Sequence, residues 1–167
     1  MFKTRLLSGI VLVAAALVLI ITGGDVLLFS TLLISYIGMF ELYRIFHVEK
    51  ELPGIVGYLA ATVFYCNLKW AFLPDLMVVV LGFLMALMFV YVFTYPKYKT
   101  EQMLAAFFAV FYVAVMLSFV YRTRMLPMGT YTVWLIFLCS WGCDTCAYCV
   151  GILTGKHKMA PVLSPKK

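Results

Sequence analysis

Charge is scarce in this sequence: Asp, Glu, Lys and Arg make up 12% of its 167 residues, and only seven of them are acidic. Soluble domains carry about twice that share, so a water-soluble globular chain is excluded. There is no internal repeat and no low-complexity linker, which leaves one domain. The cations do not crowd one face of a soluble fold but sit in short segments between apolar runs. This argues against nucleic acid as a partner despite a formal net charge of +6. Histidine is nearly absent too. His47 has no second His or carboxylate at ligand spacing, so it reads as a solvated or hydrogen-bonded side chain rather than a metal ligand. Five cysteines leave an odd count, which disfavours a disulfide framework. Cys143 and Cys146 form one C-x-x-C, but a second half and a βαβ setting are both missing, so zinc or redox chemistry is disfavoured. The thiols read as small apolar groups that pack helix against helix.

What fills the chain is apolar. The hydrophobic share is 65% and the mean hydropathy is +1.05, values of an integral membrane protein. Gly and Pro punctuate the apolar stretches into about six spans, roughly 6–22, 26–46, 55–70, 76–95, 103–121 and 131–153, followed by a basic tail over 154–167. The expected fold is therefore an all-α membrane bundle in a single domain over 1–167. Lys3 and Arg5 ahead of an apolar core imitate a signal peptide, but further apolar segments follow at once, which favours a retained first span. Thr22–Asp25, with its paired glycines, reads as a tight turn. The run Glu41–Leu52 alternates charged and apolar residues, as an interfacial helix or loop does, and Glu41 and Arg44 are spaced to pair across one helical turn. Lys69 and Trp70 read as a snorkelling cation and an interfacial aromatic. With the N-terminus inside, ten cations (Lys3, Arg5, Arg44, Lys50, Lys97, Lys99, Lys156, Lys158, Lys166, Lys167) face the cytoplasm against three outside (Lys69, Arg122, Arg124). That asymmetry follows the positive-inside rule and puts both termini in the cytoplasm.

The chemistry concentrates in Cys139–Lys167. On a helix, Asp144, Ala147, Tyr148, Gly151 and Gly155 share one face, which joins an acid and a phenol to three small residues. An acid inside a membrane segment is costly enough to mark a functional site, and small residues admit close approach by a helix or a substrate. A snorkelling acid at the end of a packed helix and a tail that merely anchors topology remain open at this level.

The run Asp144-Thr-Cys-Ala147-Tyr148-Cys-Val-Gly151, then Gly155-Lys156-His157-Lys158, then Pro161-Val-Leu-Ser164-Pro165-Lys166-Lys167 resembles the phosphatidate cytidylyltransferases, or CDP-diacylglycerol synthases. The opening Arg5-Leu-Leu-Ser8-Gly9 is similar to how members begin. Members usually continue after Ser-Pro-Lys-Lys with Thr-x-Glu-Gly and carry a Ser-x-x-Lys-Arg-x4-Lys-Asp signature near the C-terminus. Neither is present, so the chain resembles the N-terminal part of such an enzyme and is expected to be inactive alone. The resemblance implies CTP and phosphatidate as substrates, CDP-diacylglycerol and pyrophosphate as products, and a bacterial cytoplasmic membrane with the active face inward. Membrane lipids surround it, and homodimerisation is compatible with the family. Asp144 would organise Mg2+ as a ligand; Asp144, Lys166 and Lys167 would be catalytic. Tyr148, Gly151, Lys156, His157, Lys158 and Ser164 would bind substrate. A small helical transporter or scaffold, with Asp144 on an ion path, is one alternative, although matched Gly/Pro-interrupted halves are missing. A CTP-dependent lipid kinase of the dolichol kind is another, against which the Ser164-Pro-Lys-Lys ending weighs.

Overall fold

A computed structural model describes Phe2–Thr154 of the chain. The described residues form six helical rods. They are α1 (Phe2–Thr22), α2 (Gly24–Ile45), α3 (Leu52–Trp70), α4 (Leu76–Thr94), a composite rod of α5 (Thr100–Ala109), a π-helical segment (Val110–Val115) and α6 (Met116–Arg124), and finally α7 (Gly129–Thr154). Each rod covers one of the apolar stretches, and the protein is an all-α membrane protein. Among the described residues, four helical stretches are long and apolar enough to cross a bilayer: Gly24–Ile45, Met77–Thr94, Thr100–Arg124 and Gly129–Gly151; Gly9–Thr22 is a shorter apolar helix. α3 is less apolar because it carries polar and small residues inward: Gly54, Gly57, Tyr65 and Asn67 are all buried.

The helix ends follow local chemistry. Gly23 and Gly24 both have positive φ, 60° and 49°, and let α1 turn into α2 without an intervening loop. Pro53 opens α3, where a missing N–H costs nothing, and the Asp75 carboxylate caps α4 by accepting from the Met77 N–H at 2.9 Å. α2 runs on through Glu41 and Arg44 to Ile45, so the charged stretch after it shrinks to the turn before Leu52. The expected Glu41–Arg44 pair does not form. Among the described residues the ion pairs are long-range instead, Lys69–Asp25 at 2.8 Å and Lys97–Glu51 at 2.9 Å. They tie alternate loops together at opposite ends of the bundle. At the first end Lys69 also lies over the Phe29 and Trp70 rings. At the second, the Glu51 carboxylate accepts from Lys97 Nζ and from the Tyr98 hydroxyl at 2.6 Å, and Gln102 donates to the Phe46 carbonyl. The Tyr98 and Lys97 bonds hold the Glu51 carboxyl below its ordinary range. This clamp therefore persists until pH falls through that lowered value.

Lipid offers no hydrophobic drive for helices to associate, so close packing and internal hydrogen bonds must hold the bundle. The core of α2, α3, α4 and the composite rod supplies both. Tyr43, fully buried on α2, donates its hydroxyl to the Ala106 carbonyl of α5 at 3.0 Å. Tyr65 of α3 donates to the Ala114 carbonyl in the π segment at 3.2 Å, with Ser35 Oγ 3.0 Å away on α2. A π turn widens the i→i−4 ladder, and a side-chain donor from a neighbouring helix compensates there. Each such interhelical bond contributes about 0.6–1.7 kcal/mol.

The bonds need bare backbone opposite them. A Cβ on Gly57 would lie 2.0 Å from the Tyr43 hydroxyl, and one on Gly38 would lie 2.9 Å from Val113. Gly57→Ala is expected to destabilise the bundle by about 1–3 kcal/mol, as other overpacked cores are destabilised. Thermal unfolding in detergent checks this, with Gly82→Ala, at a site where a Cβ meets nothing within 4 Å, as the neutral control.

Candidate functional site

α7 carries the candidate site, and its attachment is one-sided. A single stripe at helical spacing, Gly129, Val133, Phe137, Ser140, Asp144, Ala147 and Gly151, runs its length in steps of three and four residues. Burial declines along it. Gly129 is buried and Val133 is 0% exposed, Phe137 is half-buried, and Ser140, Asp144, Ala147 and Gly151 are exposed. The first half of the stripe packs on the bundle; the half holding the acid does not.

The base of α7 is fixed by its turn. A Cβ on Gly129 would stand 2.2 Å from the Arg124 carbonyl oxygen, so the helix starts hard against the end of α6. Arg124 reaches the other way, donating from Nε to the Ile20 carbonyl at 2.9 Å with its guanidinium against Gly23. A cation at the C-terminus of α1 is also favoured by the helix dipole. One residue thus joins the ends of α1 and α6 to the start of α7. From that base Asp144 is roughly 22 Å along the axis, at 1.5 Å per residue.

Asp144 has no ion-pair partner among the described residues, and Tyr148, one turn on, is 70% exposed. Nothing lies within 4 Å of a Cβ built on Gly142 or Gly151. The small-residue face is therefore not a packed helix interface among the described residues. Nor are the thiols packing groups there. Cys139, Cys143, Cys146 and Cys149 are free and exposed, and Cys66 is half-buried. No group of three or more His, Cys, Asp or Glu side chains that could hold a metal ion occurs among the described residues. Asp144 offers one carboxylate, the donor type that magnesium takes together with substrate phosphate oxygens, so a metal here would draw its remaining ligands from substrate and water.

The structure brings Asp144, Tyr148 and Gly151 onto one unobstructed face of α7. The other sequence candidates, Lys156, His157, Lys158, Ser164, Lys166 and Lys167, lie outside the described residues. Sequence reasoning missed the clamp at Arg124, which reads as a flanking cation. It also missed that the Gly129–Val133–Phe137 stripe continues into Asp144, a signal present in the spacing.

An α-helical membrane protein with one carboxylate on an open stretch of a membrane helix is the class that fold and site define. The sequence pattern of the cytidylyltransferase family matches residues 3–167, and the chain belongs to that family. It is 32% identical over 171 residues to a phosphatidate cytidylyltransferase of Staphylococcus aureus strain COL. It is 30% identical over 172 residues to one of Staphylococcus saprophyticus, and 31% over 174 residues to one of Staphylococcus epidermidis strain RP62A. These matches cover 99% of this chain, which spans 64% of the length of each relative. No solved structure matches the chain.

Two glycines distinguish the packed base of α7 from its exposed half. Gly129→Ala, clashing with backbone, is expected to lower the unfolding temperature by several degrees, an overpacking cost of about 1–3 kcal/mol. Gly151→Ala is expected to leave it within about 1 °C, because the added methyl meets nothing. Differential scanning fluorimetry in detergent reads both.

Proposed function

We propose that this chain carries the membrane scaffold and part of the active site of a phosphatidate cytidylyltransferase, which transfers CMP from CTP to phosphatidate. The observation that carries the reading is Asp144. It is an acid at membrane depth on the exposed half of α7, beside small residues and a phenol, in a chain of this family. A carboxylate so placed is expensive to leave unpaired, and a ligand able to use it is the natural partner.

In the proposed reaction a phosphate oxygen of phosphatidate attacks the α-phosphorus of CTP. The new P–O bond forms as the bond to the β-phosphate breaks, and pyrophosphate leaves with the electron pair. The attacking oxygen is already anionic near neutral pH, so little proton transfer is required. The obstacle is bringing two polyanions together and stabilising charge on the leaving group. Magnesium, the cofactor proposed here, would supply that neutralisation when bound, with Asp144 as its protein ligand.

The chain's own contribution is position. α7 is held at its base by Arg124 and Gly129 and presents Asp144 about 22 Å further on, where Ala147 and Gly151 allow a lipid head group to reach the backbone. Tyr148 would donate a hydrogen bond to a phosphate oxygen. Lys156, His157, Lys158, Lys166 and Lys167 would neutralise phosphates, with Ser164 as a further donor. The distribution of cations supports an orientation with this end of α7 in the cytoplasm, where CTP is available, and a cytoplasmic-membrane location.

The test places this chain in the Staphylococcus aureus relative, in exchange for the part it matches, and measures CDP-diacylglycerol formation from CTP and phosphatidate. Turnover is expected, and Asp144→Asn is expected to lower it by about 10²–10³-fold, the loss typical of removing one preorganised electrostatic group. An inactive but folded exchange protein, or turnover indifferent to Asp144→Asn, would overturn the reading.

A further inference from the structure

On the flank of the core, away from α7, Leu33, Tyr36, Ile37, Phe40, Glu49 and Tyr58 line an open groove of about 340 Å³ between α2 and α3. Its two ends differ in chemistry. Leu33, Ile37 and Phe40 form an exposed apolar wall on a helix long enough to cross a bilayer, so an acyl chain can lie along it. Glu49 closes the other end from the turn after α2, half-buried and outside both reported ion pairs.

Tyr58 lines the same groove as that carboxylate. Its ring is held edge-on against Tyr36 at 5.7 Å and Tyr43 at 5.3 Å. The neighbouring phenols are occupied, Tyr36 with Thr62 and Tyr43 with the Ala106 carbonyl. The Tyr58 hydroxyl is buried and, among the described residues, is the one buried side-chain polar atom without a hydrogen-bond partner.

The groove therefore joins an apolar channel to a carboxylate, with no cation in its lining. An anionic head group is repelled there. An ammonium, with three donors and a positive charge, fits the Glu49 carboxylate. We propose that this groove binds a membrane lipid bearing a primary ammonium head group. The ammonium donates to the Glu49 carboxylate, and one acyl chain runs along Leu33, Ile37 and Phe40. The site is separate from Asp144 and does not depend on the reaction proposed above.

The test reconstitutes the full chain in nanodiscs of phosphatidylethanolamine and phosphatidylglycerol, equal in amount and matched in acyl chains. Native mass spectrometry then counts the lipids retained after transfer to mild detergent. Retention of phosphatidylethanolamine is expected to exceed that of phosphatidylglycerol by about tenfold, the ratio one charge-assisted hydrogen bond gives. Glu49→Gln is expected to bring the ratio close to parity. Equal retention by the unaltered chain would mean an annular lipid only, and a preference that survives Glu49→Gln would assign it elsewhere; either result overturns the proposal. Should that variant not fold, the unaltered chain still decides. Phosphatidylcholine keeps the positive charge but has no N–H, so it is expected to be retained about tenfold less well than phosphatidylethanolamine, and equal retention overturns the proposal.

Discussion

Two phenols donating across helices to backbone carbonyls, Tyr43 to Ala106 and Tyr65 to Ala114, are the contacts on which the rest of the bundle depends. In a bilayer no water is at hand to satisfy a polar group, and apolar side chains gain little by leaving lipid for one another. Helices therefore stay together where backbones come close and where buried donors find acceptors. Gly38, Gly54 and Gly57 provide the closeness, and the tyrosines with Ser35 provide the bonds. The π turn at Val110–Val115 belongs to the same arrangement, since its widened ladder is met by Tyr65 from outside.

The same constraint makes α7 unusual. In the core, Ser35, Tyr43 and Tyr65 have partners inside the bundle, but along α7 the stripe that begins in packed Gly129 and Val133 reaches an exposed acid. Arg124 fixes where that helix starts, so the open half continues a helix anchored at its base. A carboxylate so placed would suit the proposed chemistry on a lipid phosphate. In the proposed reaction the lipid would arrive in the bilayer plane and the nucleotide from water.

Much of this was legible in the residues. Apolar runs broken by Gly-Gly, Pro-Gly and Pro-Asp mark the helices, and the odd acid in the last span marks the candidate site, because both signals are local. What was not legible depends on distant partners. Glu41 and Arg44 have the spacing of an ion pair, yet the pairs that form join Asp25 to Lys69 and Glu51 to Lys97, across helices. Val110–Val115 is an ordinary apolar run in sequence, and nothing in it announces a π turn. Tyrosines in apolar spans read equally as lipid-facing or as packing, so the hydroxyl network at Tyr43 and Tyr65 appears only with the fold. The thiols of α7 read as packing groups and instead face outward, because small size permits packing without requiring it.

The central claim is that the Asp144 face of α7 meets the lipid substrate, and photo-crosslinking reads this most directly. A photoreactive benzoylphenylalanine placed at Tyr148, one turn beyond Asp144, or at Cys146, on the opposite side of the helix, is irradiated with radiolabelled phosphatidate and CTP in the exchange protein. Labelling at position 148 that is competed by unlabelled phosphatidate, with little at 146, is the expected result. Equal labelling at both positions, or labelling at 146 alone, would contradict the claim and leave Asp144 as an exposed acid without a substrate.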